Sequence, residues 1–215
     1  MTENAAIKIL IVDDHVVVRE GLKQIINSTQ DMAVIGEAET GFEAIKLSRQ
    51  LEYHIMLLEI VLPDRNGIEV LKQIKKESPQ VSVLMFSGHR EDQYAVRSLK
   101  SGASGYLNKQ CSAAQIIIAI KQVASGLKYI SPALAQEMAN NLNQEYEGQL
   151  HKTLSDREFQ TLTMIASGKS VTDIARELSL SVKTISEYRA RLLLKMKLRH
   201  NAELTHYAIK NELVE

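Results

Sequence analysis

Five short apolar runs, Ile7–Val12, Ala33–Ala38, Ile55–Leu58, Val81–Phe86 and Gly105–Leu107, punctuate the first 126 residues. Between and after them apolar positions recur three and four apart, in Val18-x-x-x-Leu22-x-x-Ile25-Ile26, Ala44-Ile45-x-x-Ser48-x-x-Leu51, Ile68-x-x-Leu71-x-x-Ile74 and Ile116–Ala124. Few folds accept that rhythm. Strands spaced by helical segments of roughly ten to fifteen residues pair in parallel, each helix carrying the chain back to the end of the sheet where the last strand began. The runs are apolar at consecutive positions rather than alternate ones, as strands covered by helices on both faces must be. A parallel α/β domain with right-handed crossovers, closing near Gly126, is therefore expected.

Beyond Gly126 the pattern changes. Ser131-Pro132 suits a helix start and predicts a short helix over Ala133–Leu142, after which the polar stretch from Asn140 to Gln149 reads as a linker. No strand-like run follows. Ser155-Asp156-Arg157-Glu158 has the capping-box pattern, and Gly168 stops the helix it opens. Further helices are expected over Val171–Leu178, over Val182–Met196 behind a Ser181 cap, and over Ala202–Asn211. Residues 153–215 thus read as a second, all-α domain of four helices, joined to the first by a connecting segment over 127–152. The pair of helices across the tight turn after Leu178 has helix-turn-helix spacing, with Ile174, Ala175, Leu178, Val182, Ile185 and Leu192 as its shared core.

The 26 Lys and Arg residues balance 26 Asp and Glu, which taken whole argues against a nucleic-acid partner. The balance is uneven along the chain. Residues 152–215 hold 11 basic and 8 acidic side chains, net +3, so the remainder is net −3. Six basic residues fall between Lys183 and Arg199 against a single acid, Glu187, and they start on the second helix of the turn. Gly and Pro together make 13 of 215 residues, which excludes collagen-like and largely disordered chains. No apolar run approaches the roughly 20 residues of a membrane helix. Met1-Thr2-Glu3-Asn4 lacks the start of a secretory signal, so a cytoplasmic address without a membrane partner is expected. Cys111 is the only cysteine and reads as structural.

In an open parallel sheet, ligands bind beyond the carboxyl ends of the strands. Asp13 and Asp14 follow the first run, Glu59 the third and Ser87 the fourth, and Lys109 lies just past the fifth. Three carboxylates brought together repel one another, and a hard cation such as Mg²⁺ offsets that cost. A hydroxyl and an ammonium beside such a cation would hold an anion, so Asp13, Asp14 and Glu59 with Ser87 and Lys109 describe a phosphoryl site. His15 and Asp64 read as helix-start and turn residues.

At this point the residues resemble a known family. Asp13-Asp14-His15, the strand Ile55–Leu58 with its terminal acid, Leu62-Pro63-x-x-Asn66-Gly67, Ser87, and Gly102-Ala103-x-Gly105-Tyr106-Leu107-x-Lys109 look like a two-component response-regulator receiver, from residue 7 to about 126. The resemblance implies a flavodoxin-like (βα)5 fold. It also implies that Asp13 and Asp14 bind Mg²⁺, that residue 59 accepts a phosphoryl group from a cognate histidine kinase, and that Ser87 and Lys109 contact the phosphate. Tyr106 would reorient, and Pro63 and Gly67 would shape the loop beneath the site. The family's acceptor is Asp, whereas this chain has Glu59. The extra methylene carries the carboxylate about 1.5 Å further, and a misplacement of ~1 Å can cost on the order of 10²-fold in such a transfer. Glu59 is therefore expected to be a poor phosphoacceptor and a partial imitation of the phosphorylated state. It offers one charge and two oxygens where a phosphoryl group offers up to about two and three.

The second half carries its own resemblance. Leu154-Ser155-x-Arg157-Glu158, Ala166-x-Gly168, Ile174-Ala175-x-x-Leu178, Ser181-x-Lys183-Thr184-Ile185 and Lys195-Met196-x-Leu198 look like the tetrahelical DNA-binding domain of NarL/FixJ (LuxR-type) regulators, over about 153–213. This implies that Lys183, Thr184, Tyr188 and Arg191 hold backbone phosphates of double-stranded promoter DNA while Ser186, Glu187 and Ala190 face base edges. It further implies a homodimer when active, with Leu204, Tyr207 and Ala208 of the last helix as contact residues or, alternatively, as core. The whole reads as a transcription regulator. A metal-assisted hydrolase is a second reading, against which no separate nucleophile and base stand out. A third is a switch whose second domain contacts protein rather than DNA.

Overall fold

A computed structural model describes residues 6–141 and 150–214, and residues 142–149 of the expected linker lie outside the described residues. Backbone contacts divide the chain into two compact units, Met1–Asn143 and Gln144–Glu215.

In the first unit five parallel strands, β1 (Ile7–Val12), β2 (Met32–Ala38), β3 (Ile55–Leu58), β4 (Ser82–Ser87) and β5 (Gly105–Asn108), lie in the order β2-β1-β3-β4-β5. Helices α1 (Val16–Asn27), α2 (Gly41–Gln50), α3 (Gly67–Glu77), α4 (Glu91–Lys100) and α5 (Ala113–Ala124) follow the strands in turn, which is the flavodoxin-like (βα)5 arrangement. Apolar spacing does not announce α4, because among its described residues only Tyr94, Ala95 and Ser98 are buried in a polar sequence.

Both faces of the sheet are buried. Ile9, Ile11, Ile55, Leu57, Leu84 and Phe86 pack with Leu22 and Ile26 of α1 and with Ile116, Ile120 and Val123 of α5. The alternate residues Leu10, Met56, Val83 and Met85 are equally inaccessible. Burying each such side chain contributes roughly 1.5–3 kcal/mol, which lets a central strand as short as β3 hold its place. Cys111 sits half-buried at the edge of this cluster, where burial pushes its thiol pKa up, as befits a structural residue.

The strand order reverses between β1 and β3: from β1 the chain goes to β2 on one side, then crosses to β3 on the other. Helices on opposite faces therefore diverge at that point and leave a crevice at the carboxyl ends of β1 and β3.

A sixth helix, α6 (Pro132–Asn141), belongs to the same unit and packs against α4, with Leu134 buried and Ser131 Oγ donating to Glu91 Oε2 at 2.7 Å.

The second unit has no strand among its described residues. A 3-10 turn, Leu150–Thr153, precedes α7 (Asp156–Ala166), α8 (Val171–Glu177), α9 (Val182–Met196) and α10 (Asn201–Lys210). The Ser155–Glu158 capping box forms in both directions, and the Ser170 and Ser181 side chains accept from the Asp173 and Thr184 amides. Phe159, Leu162, Ile174, Leu178, Ile185, Leu192 and Met196 fill the core. Val182, expected among them, is 48% exposed. It is the first residue of α9, and its side chain leaves the helix before the first turn has rotated toward the core. Leu204 and Ala208 are fully buried, so the core alternative holds for both. Tyr207 Oη lies 3.0 Å from His151 Nδ1 of the 3-10 turn.

Candidate functional site

The sheet delivers one polar residue from each of four strands to the crevice. Backbone pairing runs one step past the strand ends, with Asp13 N–H donating to Ala38 O (3.1 Å), Glu59 N–H to Val12 O (2.9 Å) and Lys109 N–H to Ser87 O (2.8 Å). These bonds hold Asp13, Glu59, Ser87 and Lys109 side by side at one rim.

Glu59 is only 5% exposed, and both its carboxylate oxygens are occupied. Oε1 accepts from Ser87 Oγ at 2.5 Å and from the Ile60 and Val61 amides at 2.5 and 3.3 Å. Oε2 lies 2.7 Å from Lys109 Nζ, and the same ammonium lies 2.5 Å from Asp13 Oδ2. Lys109 thus bridges two buried acids. Burial alone would lower its pKa, but the Glu59 and Asp13 carboxylates outweigh it and hold the ammonium above its ordinary range. Tyr106 is buried, which drives its phenol well above the usual value, and its hydroxyl donates to His89 O at 2.9 Å. The His89 amide in turn reaches Ser87 Oγ at 3.4 Å.

The loop after Glu59 is shaped by what it cannot hold. The Gly67 amide donates to Ile60 O at 2.7 Å, and a Cβ on Gly67 would lie 2.0 Å from Glu59 O. Asp64, expected as a turn residue, caps a helix instead: its two oxygens accept from the Gly41 and Phe42 amides, both at 2.7 Å, at the start of α2. Its partners are brought to it only by the fold.

Oxygens of Asp13 and Asp14 and a ring nitrogen of His15 lie within 4.8 Å of one another. Two carboxylates at a strand end suit a hard divalent cation. Glu59, expected as a third ligand, does not join this group, because Ser87, the loop amides and Lys109 engage its oxygens.

Arg19 was not anticipated. Its guanidinium is 7% exposed, donates from Nη1 to Asp13 O at 2.7 Å, bonds Glu39 through Nη2, and lies 3.5 Å from Glu37 through Nε. It therefore ties the acidic turn to the end of β2. A signal was available: Arg19 precedes Leu22 by three and Ile26 by seven, so it lies on the buried stripe of α1, where an unpaired charge would be costly.

In the second unit Lys183, Ser186, Glu187, Ala190 and Arg191 line the exposed side of α9. Thr184 Oγ1 lies 2.8 Å from the Ser181 hydroxyl, and the Arg191 guanidinium lies 5.1 Å from the Tyr188 ring centre. Three of the six clustered cations are engaged within the domain, Arg191 through Glu187 Oε2 at 3.8 Å and two others more closely. Lys195 Nζ pairs with Glu158 Oε2 at 2.6 Å, and Arg189 Nε donates to Asn201 Oδ1 at 2.6 Å.

The model of the response regulator receiver domain matches residues 9–121, and that of bacterial regulatory proteins of the luxR family matches residues 152–208. The chain belongs to the two-component response regulators that join a receiver to a LuxR-type DNA-binding domain. It is similar to Response regulator UvrY of Escherichia coli (strain K12), 34% identical over 208 residues that cover 96% of this chain and 95% of that one. Response regulator GacA of Pseudomonas aeruginosa is 32% identical over 210 residues, 97% of this chain and 98% of the other. The crystal structure of a LuxR-family two-component response regulator from Aurantimonas sp. SI85-9A1 is 32% identical with a TM-score of 0.61, covering 65% of this chain and 100% of that chain. RcsB from Salmonella enterica serovar Typhimurium, solved bound to promoter rprA in the presence of phosphomimetic BeF3-, shares the fold at 23% identity and a TM-score of 0.64, over 94% of this chain and 98% of that one.

Proposed function

We propose that this DNA-binding response regulator carries a receiver whose switch position, Glu59, is not an efficient phosphoacceptor and partly imitates the phosphorylated state. The observation that carries the reading is the Glu59 carboxylate spanning the Ser87 hydroxyl and the Lys109 ammonium, the two groups that the family resemblance assigns to phosphate. Asp13 and Asp14 would hold Mg²⁺, which supplies charge neutralisation at the pocket. Glu59 joins them only by giving up Lys109 or Ser87. Tyr106, buried beneath the β4–α4 loop, is the reorienting aromatic.

In the second domain we assign Lys183, Thr184, Tyr188 and Arg191 to phosphates of double-stranded promoter DNA, and Ser186, Glu187 and Ala190 to base edges. The receiver then occupies 1–126, the connecting segment 127–152 and the DNA-binding domain 153–215. A cognate histidine kinase, a homodimer in the active state and a cytoplasmic address complete the reading.

Intact-mass measurement after incubation with a small phosphodonor and Mg²⁺ tests the claim about residue 59. The wild type is expected to gain no adduct of about 80 Da, and Glu59→Asp is expected to gain one. A wild-type adduct that disappears in Glu59→Gln overturns the reading.

A further inference from the structure

We infer that α6 is latched to α4 by Ser131 and Leu134, and that this latch is coupled to residue 59 through the β4–α4 loop. The inference rests on reading Glu59 as the switch position.

A run of contacts, with one step along the α4 backbone from Tyr94 to Glu91, leads from the pocket to the latch. Glu59 Oε1 accepts from Ser87 Oγ at 2.5 Å, and Ser87 Oγ accepts from the His89 amide at 3.4 Å. The His89 carbonyl is held by Tyr106 Oη and Asn108 Nδ2, each at 2.9 Å, and its ring lies 5.0 Å from the Tyr94 ring between centroids. Tyr94 is fully buried on α4, one turn past Glu91. Glu91 Oε2 accepts from Ser131 Oγ at 2.7 Å, and Ser131 Oγ accepts from the Leu134 amide at 3.1 Å at the opening of α6. Leu134 is buried beside it.

The route has a physical direction. Ser87 has one hydroxyl proton, and Glu59 takes it. Removing that acceptor frees the hydroxyl to turn, which alters a side chain that the His89 amide reaches. Tyr94 is packed among buried neighbours on α4, so a loop shift moves the start of α4 rather than one ring. Glu91 and the latch move with it. The consequence lies in the tether. α6 is the last described element before the 3-10 turn that opens the second unit. Release adds the 10 residues of α6, at most about 3.6 Å each, to the span over which the DNA-binding unit can reach.

Hydrogen exchange on the full chain tests this. A hydrogen bond worth ~1 kcal/mol corresponds to about a fivefold change in an opening equilibrium. Ser131→Ala is expected to speed exchange in α6 about fivefold and, because a coupling free energy is reciprocal, to speed exchange in the β4–α4 loop as well. Glu91→Gln, which keeps an acceptor oxygen, is expected to stay closer to the wild type. Glu59→Ala should speed exchange in both the loop and α6, and should add little in α6 once Ser131→Ala is present. Ser87→Ala, which leaves the charges in place, should reproduce the effect of Glu59→Ala on α6 if the latter variant folds poorly. Loop exchange that rises while α6 stays at the wild-type rate overturns the coupling, as do effects of Glu59→Ala and Ser131→Ala that simply multiply. An unchanged promoter affinity in Glu59→Ala, with α6 responding, refutes the switch reading of residue 59 and supports the coupling.

Discussion

Gly67→Ala should destabilise the receiver far more than its single methyl suggests. The new Cβ would lie 2.0 Å from Glu59 O and 2.9 Å from both Glu59 C and Ile60 Cα. All three are backbone atoms, so no side chain can rotate away. Overpacking that side chains can absorb costs about 1–3 kcal/mol. Here relief means moving the peptide after Glu59 by about 1 Å and breaking the 2.7 Å bond from Gly67 N–H to Ile60 O, which adds ~1 kcal/mol. The sum is roughly 2–4 kcal/mol, a large share of the ~5–15 kcal/mol that hold a domain together. The same substitution at Gly21 is the control. A Cβ there meets nothing within 4 Å in the middle of α1, and Ala should stabilise the helix by about 0.5–1 kcal/mol. Urea unfolding followed by far-UV circular dichroism, with equal m-values for all three proteins, measures both. A Gly67→Ala protein within about 1 kcal/mol of the wild type would refute the close approach of the loop to residue 59.

Other substitutions separate internal contacts from those proposed for DNA. Asp64→Ala should cost roughly 1–2 kcal/mol in the same urea assay, because two charge-assisted bonds to the α2 amides vanish, and Asp64→Asn should recover part of it. Burial would raise the Glu158 pKa, but Lys195 and the Ser155 cap more than offset it and leave it below its ordinary value of 4.5. The folded state thus binds that proton more weakly than the unfolded state does, so its contribution is present above about pH 4.5 and lost as pH falls through the folded value. Melting curves of Glu158→Gln should accordingly depend less on pH in that acid window than those of the wild type. Lys183→Ala should reduce the salt slope of promoter binding by about one, whereas Lys195→Ala should leave it nearly unchanged because Glu158 already holds that ammonium.

Features that depend on local periodicity were legible before any coordinates. The β1 and β3 bounds coincide with their apolar runs because burial on both faces leaves no alternation to misread, and the Ser155 and Ser181 caps follow from hydroxyls at fixed offsets. Features that depend on distant partners were not. Asp64 looks like turn chemistry until α2 arrives, and Lys195 counts only toward the basic cluster until α7 packs beside α9. The residue type at position 59 and its expected imitation of the phosphorylated state could be read, but the two loop amides that share its Oε1 could not. In the fold, Glu59 meets two loop amides, a hydroxyl and an ammonium. On the reading proposed above, a carboxylate so engaged would join Asp13 and Asp14 around a cation only by giving up one of these partners, so imitation of the phosphorylated state and support of Mg²⁺ would compete for the same two oxygens.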